Sequence, residues 1–130
     1  MSNQIQFQLV SPQKRYCDKP VAMVTVPGEQ GCFGVMAGHA PLAAAIGNGV
    51  LETYDEDTTS LAKRWFVAGG FCEVVAHRCT VLADQVIEID ALNREEIEAE
   101  IRTLAKTKGD GVTVLKKIAL AEAKLQALQA

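Results

Sequence analysis

Near Asp84 the chain changes character, and that change constrains the fold more than any other feature. Before it, short apolar runs alternate with Gly and Pro; after it, Glu, Ala, Lys, Leu and Ile dominate and Pro is absent. A chain that switches from turn-punctuated runs to proline-free helix formers divides into a strand-rich part and a helical part. We therefore expect an α+β protein: an N-terminal antiparallel β-sandwich over 1–84 and a C-terminal antiparallel two-helix hairpin over 85–130.

In the first part, Ile5, Phe7 and Leu9 alternate with Gln6 and Gln8, the period of a strand with one buried face. Val21–Val26 is an apolar, β-branched run stopped by Pro27-Gly28, a turn pair. Phe33–Met36 and Leu42–Ile46 are further short runs, the second closed by Gly47-Asn48-Gly49. Val50–Tyr54 resumes as a strand and Asp55–Thr59 makes a polar hairpin loop. Trp65–Ala68 meets Gly69-Gly70, which breaks or bulges it. Phe71–Val75 and Cys79–Ala83 are joined across Ala76-His77-Arg78. Many short strands with turns between them indicate a sandwich or barrel.

The second part predicts two helices. Asp90 or Asn93 can cap the first, and Asn93 with Glu96 forms a capping-box pattern. Glu95, Glu96 and Glu98 lie at the positive end of that helix dipole, with Lys106 and Lys108 toward its negative end. Ile97, Ile101 and Leu104 form its apolar stripe, and Gly109-Asp110-Gly111 breaks the helix. Val114, Ile118, Ala121, Leu125 and Leu128 then give a narrow seam suited to one partner helix. Helices of about four turns are marginal alone in water, so the pair needs a third surface: the sandwich or another protein.

Little here points to chemistry. There is no G-x-S-x-G elbow, no HExxH and no G-x-x-x-x-G-K-[ST] loop. The glycine-rich Gly28–Gly34 stretch is followed by neither a Lys nor a helix start, so it reads as turn chemistry. Cys17, Cys32, Cys72 and Cys79 form no CxxC pair, and His39 and His77 do not follow zinc-ligand spacing, so no metal is expected. They read as reduced thiols in a cytosol-like compartment. A net charge of −3 gives no reason to expect nucleic acid. No stretch approaches the roughly 18–20 apolar residues of a membrane span, and no signal peptide is visible. The residues alone thus point to an interaction module rather than an enzyme. Two other classes stay open: a stand-alone ligand-binding sandwich with a helical lid, and a small hydrolase with an unrecognised site.

One set of motifs is more specific. Val24-Thr25-Val26-Pro27-Gly28, then Gly31-Cys32-Phe33-Gly34-Val35-Met36-Ala37-Gly38-His39-Ala40-Pro41-Leu42, resembles the signature of epsilon subunits of rotary, proton-translocating ATP synthases. Gly69-Gly70-Phe71-Cys72-Glu73-Val74 is similar to that family's S-G-G-F/I-x-E-V segment, with Ala68 in place of Ser. Thr80-Val81-Leu82-Ala83-Asp84 matches its T-V-L-A-D/E strand. The resemblance implies a sandwich that binds the gamma subunit and sits on the membrane c-ring. It implies a rotor part at the cytoplasmic face of a bacterial inner membrane, peripheral and non-catalytic, whose hairpin reaches the alpha/beta catalytic head. Ser11, His39 and Ala44 match positions that face gamma. Glu29, Gln30, Gly31, Cys32 and Phe33 match the ring-facing loop, with Cys32 where many relatives carry an acidic or polar residue.

Some relatives bind ATP through I/L-D-x-x-R-A at the start of the hairpin. Here the segment is Ile89-Asp90-Ala91-Leu92-Asn93-Arg94-Glu95: Asp90 matches, but Arg94 is one residue late. One residue turns a side chain by about 100° around a helix, so Arg94 misses the matching direction. The second helix carries only the lysines Lys116, Lys117 and Lys124, which lack arginine's bidentate fork. The expectation is no ATP cofactor and only weak inhibition of ATP hydrolysis by the hairpin.

Overall fold

The computed structural model describes residues 4–106 and 111–129. Eight strands come first: β1 (Ile5–Val10), β2 (Arg15–Val21), β3 (Met23–Gly28), β4 (Gly31–Met36), β5 (Leu42–Ala45), β6 (Gly49–Tyr54), β7 (Leu61–Val75) and β8 (Arg78–Glu88). A 3-10 turn, Ile89–Ala91, leads into α1 (Arg94–Lys106), and α2 (Gly111–Gln129) follows.

The strands form one hydrogen-bonded path, β2-β1-β8-β7-β6-β3-β4, with β5 attached to β7. Two long strands fold this path into a sandwich. The first half of β7 pairs with β6, Gly49↔Val67 to Tyr54↔Leu61. Its second half pairs with β5, Leu42↔Val74 to Ala45↔Phe71. Likewise β8 lies beside β1 over Arg78–Leu82 and continues opposite Trp65–Ala68 over Gln85–Glu88. The change of partner falls at Gly69-Gly70, where φ is +65° and +117°. These glycines bend the strand without breaking it, since Ala68↔Gln85 and Gly70↔Ala83 keep one register. All pairings are antiparallel except β1 with β8, which is parallel.

The core lies between the layers. Ile5, Phe7, Leu9, Cys72, Val74, Cys79 and Val81 face Val24, Val26, Val35, Leu51, Trp65, Val67 and Val86 across it. The alternation at Ile5, Phe7 and Leu9 appears as expected, each fully buried. The run Val21–Val26 is divided: Val21 closes β2, Met23 opens β3, and the intervening Ala22 N–H donates to Tyr54 O at 2.7 Å. β2 itself carries no apolar alternation, because it is an edge strand whose Arg15, Asp18, Lys19 and Pro20 are exposed. β8 runs to Glu88, so the composition change at Asp84 falls inside a strand, not at its end.

Asn93 caps α1: its Oδ1 accepts from Glu96 N–H at 3.1 Å and its carbonyl from Ile97 N–H at 3.0 Å. Asp90 lies instead within the 3-10 turn, with Leu92 N–H donating to Ile89 O. Lys108, Gly109 and Asp110 lie outside the described residues. The helices pack on each other, and α2 rests on the sandwich. Its Leu120, Ala123 and Ala127 meet Phe66, Ala68, Val50 and Ile87 on the outer side of β6, β7 and β8. Around a helix these residues lie on the side away from the Val114–Leu128 seam, so α2 has two apolar faces. The third surface that the hairpin needs is therefore the sandwich. This also explains why Trp65, Phe66, Val67 and Ala68 are all buried: one pair faces the core, the other faces α2.

Candidate docking surfaces

The two layers differ in what covers them. The hairpin covers the part of the β6 layer's outer side around Val50, Phe66, Ala68 and Ile87, leaving Met36 and Leu61 exposed, whereas the β5 layer has no such cover. Registers place its outward side chains in rows. Val10 opposes Leu82, Leu82 opposes Phe71, and Phe71 opposes Ala45. Leu82 is 52% exposed and Phe71 47%. The next outward row, Gln8, Thr80, Glu73 and Ala43, is mostly polar. Beyond it Asp18 accepts from Gln6 Nε2 at 2.8 Å. Hydrogen bonds from Gln6 and Gln8, with Arg15 and Arg78 nearby, hold its carboxyl below the usual carboxylate range. Past that row Gln6, Arg78 and the exposed Val75 make a mixed end, so the large apolar side chains are grouped at one end of the face and mixed with polar ones at the other. Large apolar side chains grouped on an open face mark an interaction site.

The loop between β3 and β4 lies beside this apolar end. Gly28 opposes Gly31, leaving Glu29 and Gln30 at the tip. A Cβ at Gly28 would lie 2.8 Å from Gly31 O and 2.9 Å from Phe33 Cε1, so the turn closes this tightly only with glycine there. The loop is pinned to its neighbour: Glu29 N–H donates to Ala45 O at 3.1 Å, and Gly47 N–H to Pro27 O at 2.8 Å. Between loop and β5 runs a groove of about 650 Å³, lined by Phe33, His39, Leu42 and the alanines of β5.

The structure brings together most of the positions singled out from the sequence. Glu29, Gln30, Gly31, Cys32, Phe33, His39 and Ala44 all line this groove. His39 Nδ1 lies 2.6 Å from Ala40 O, and the residue's backbone N–H donates to Met36 O, so part of its job is to fix the turn. Ser11 stands apart, at the end of β1 beyond Val10, and its side chain is buried. Its Oγ accepts from Gln13 and Lys14 N–H at 3.2 and 3.3 Å, closing the turn before β2. Ser11 therefore shapes the rim of the apolar face rather than offering a free hydroxyl. Asp90 and Arg94 are exposed at the start of the hairpin, away from this face.

Val10, Leu82, Phe71 and Ala45 were not singled out in the sequence. A signal existed: in Phe71–Val75 and Cys79–Ala83 both alternate sets are partly apolar, which is unusual for a layer with one solvated face. Below the surface, Cys72 and Cys79 sit in the core with their sulfurs 3.9 Å apart. The neighbouring Cys72 sulfur, and burial after it, push the Cys79 thiol well above its ordinary range. Among the described residues no group of three or more His, Cys, Asp or Glu could hold a metal ion.

Residues 4–89 match the family model of the beta-sandwich domain of the ATP synthase delta/epsilon chain. The whole chain is 41% identical to the ATP synthase epsilon chain of Rhodospirillum centenum, spanning 90% of that protein. It is 39% identical to the epsilon chain of Rhodospirillum rubrum, over 95% of this chain and 91% of that one. Among solved structures, a chain of the Euglena gracilis mitochondrial ATP synthase OSCP/F1/c-ring assembly superposes with a TM-score of 0.76 at 20% identity. That match covers 99% of this chain and 79% of the other. A chain of the Tetrahymena thermophila mitochondrial ATP synthase central stalk/c-ring gives a TM-score of 0.65 at 14% identity, covering 95% of each.

Proposed function

Because the chain belongs to the ATP synthase epsilon-chain family, we propose that it is a rotor part of the central stalk that transmits rotation between the c-ring and the gamma subunit. The observation that carries this reading is the asymmetry of the sandwich. One outer face is already covered in part by the hairpin, while the other presents an open apolar row beside a pinned loop. A torque-bearing part needs stiffness, and close-packed β layers supply it. The apolar row, with Ser11 shaping its rim and Ala44 beneath, receives gamma. The loop Glu29–Phe33 faces the ring, its acidic contact falling to Glu29, the loop's one acidic residue.

Among the described residues no helix is long and apolar enough to cross a membrane, so contact with the membrane sector runs through the ring. In this reading the protein sits peripherally at the cytoplasmic face of a bacterial inner membrane. Mixed with purified gamma, the full chain is expected to co-elute as a stable pair. Gamma eluting alone would overturn the assignment.

The hairpin in this reading is a docked appendage that touches the alpha/beta head at most transiently and holds no nucleotide. Asp90 sits in the 3-10 turn and Arg94 in the first turn of α1, both exposed. Calorimetric titration of ATP into the full chain is expected to give no saturable heat up to millimolar nucleotide. Tight binding lost in Arg94→Ala would overturn this.

A further inference from the structure

β5 is the outermost strand of the open layer; one edge pairs with β7, and the other meets the chain only at its end, through the bridge Gly28↔Ile46. In an antiparallel ladder alternate residues exchange hydrogen bonds with the partner, and the residues between them point their N–H and C=O the other way. Ile46 N–H donates to Gly70 O at 3.1 Å, which fixes the phase: Ala44 with Cys72 and Leu42 with Val74 are the bonded pairs. Ala43 and Ala45 therefore turn their backbone groups toward the groove. The loop takes one of these, since Glu29 N–H binds Ala45 O. The Ala43 N–H, the Ala43 carbonyl and the Ala45 N–H remain on the open edge.

Exposed edges are usually blunted by charge or proline. The other edge of this layer, β2, follows the rule with Arg15, Asp18, Lys19 and Pro20. β5 is Leu42-Ala43-Ala44-Ala45, with no charge and no proline. Its three small side chains leave the backbone accessible, and the neighbouring groove has room for a peptide. The edge is also continuous with the apolar row, because Ala45 is that row's last member.

We propose that the β5 edge receives an extended segment of gamma, which adds one strand to the sheet through Ala43 and Ala45. This rests on the rotor reading and specifies how gamma is held. The added strand places an apolar side chain beyond Ala45, lengthening the row Val10–Leu82–Phe71–Ala45. Main-chain bonding supplies a fixed register, and the row supplies the apolar contact, the usual division in strand addition.

Amide hydrogen exchange on the full chain, free and bound to gamma, tests this. The Ala43 and Ala45 amides are expected to slow by about tenfold or more on binding. Ala43→Pro removes an outward N–H without touching the ladder to β7, and is expected to weaken gamma binding about tenfold. Ala43→Ser, which keeps the N–H, is expected to bind as the unsubstituted chain does. If gamma binds while both amides exchange at their free rates and Ala43→Pro binds equally well, strand addition is overturned and the rotor reading stands. If gamma does not bind the unsubstituted chain, both fall.

Discussion

Replacing Phe71 and Leu82 together by glutamate is expected to abolish stable association with gamma while leaving the chain folded. The two residues are opposite one another across β7 and β8, at the centre of the open apolar row. Both are about half exposed in the free protein, so a charge at either position stays hydrated and costs little. In the complex the same carboxylates would be shut against an apolar partner. Central anchors of an interface lose about 2–4 kcal/mol on truncation, and a buried unpaired charge adds to that. The pair of substitutions should therefore weaken binding at least about a hundredfold. Urea unfolding should move by about 1–2 kcal/mol, because the two carboxylates oppose one another across the strands, which leaves the chain folded. Binding measured by co-elution or surface plasmon resonance, beside a urea curve, separates the two effects. Undiminished binding would mean that gamma docks elsewhere, and the asymmetry of the sandwich would lose its functional meaning. Val112 and Leu115, exposed on the first turns of α2, are the control: glutamate at those positions should leave gamma binding unchanged.

Elements with one dry and one wet face were legible in the sequence, because period-two alternation survives there. Ile5, Phe7 and Leu9 announced β1, and Asn93 with Glu96 announced the start of α1. β2 was not legible, since an edge strand buries little, and Arg15–Pro20 reads as a polar loop. The docked hairpin was only half legible. The Val114–Leu128 seam is a clean heptad-like pattern, whereas Leu120, Ala123 and Ala127 look like ordinary helix formers until Phe66 and Val50 are seen beneath them. The candidate site divides the same way. The groove residues Glu29–Phe33 and His39 lie within one motif, Val24–Leu42, and Ala44 two residues past its end, so resemblance found them together. The apolar row is assembled from four strands by register, and no window of sequence contains it. Gly69-Gly70 lies between these cases: its backbone freedom was evident, but two glycines equally suit a break or a bend.

The bend makes Gly70 the most demanding position in the fold. Its φ of +117° lies where side-chain-bearing residues are rarely found. A Cβ built on Gly70 would stand 2.0 Å from Leu82 O and 2.8 Å from Ala83 Cα, both backbone atoms of β8. A flexible side chain could swing aside from such a contact; a paired strand cannot. Gly70→Ala must therefore either separate β7 from β8 or flatten the bend. Flattening would stop β7 from serving both layers, with its first half beside β6 and its second beside β5. Backbone strain of about 1–3 kcal/mol and overpacking of similar size together predict a loss of about 3–5 kcal/mol. That is a large part of the stability of a typical domain, about 5–15 kcal/mol. The urea midpoint should fall sharply, or the protein should become insoluble. Gly34→Ala is the matched comparison: its Cβ would meet nothing nearer than Met23 Sδ at 3.5 Å, so stability should change by less than about 1 kcal/mol. Since Phe71 and Leu82 flank the bend, any Gly70→Ala protein that still folds should also bind gamma more weakly, although no residue of the apolar row has been altered. A Gly70→Ala chain as stable as the unsubstituted one would show that the turn between layers does not depend on a bare backbone there.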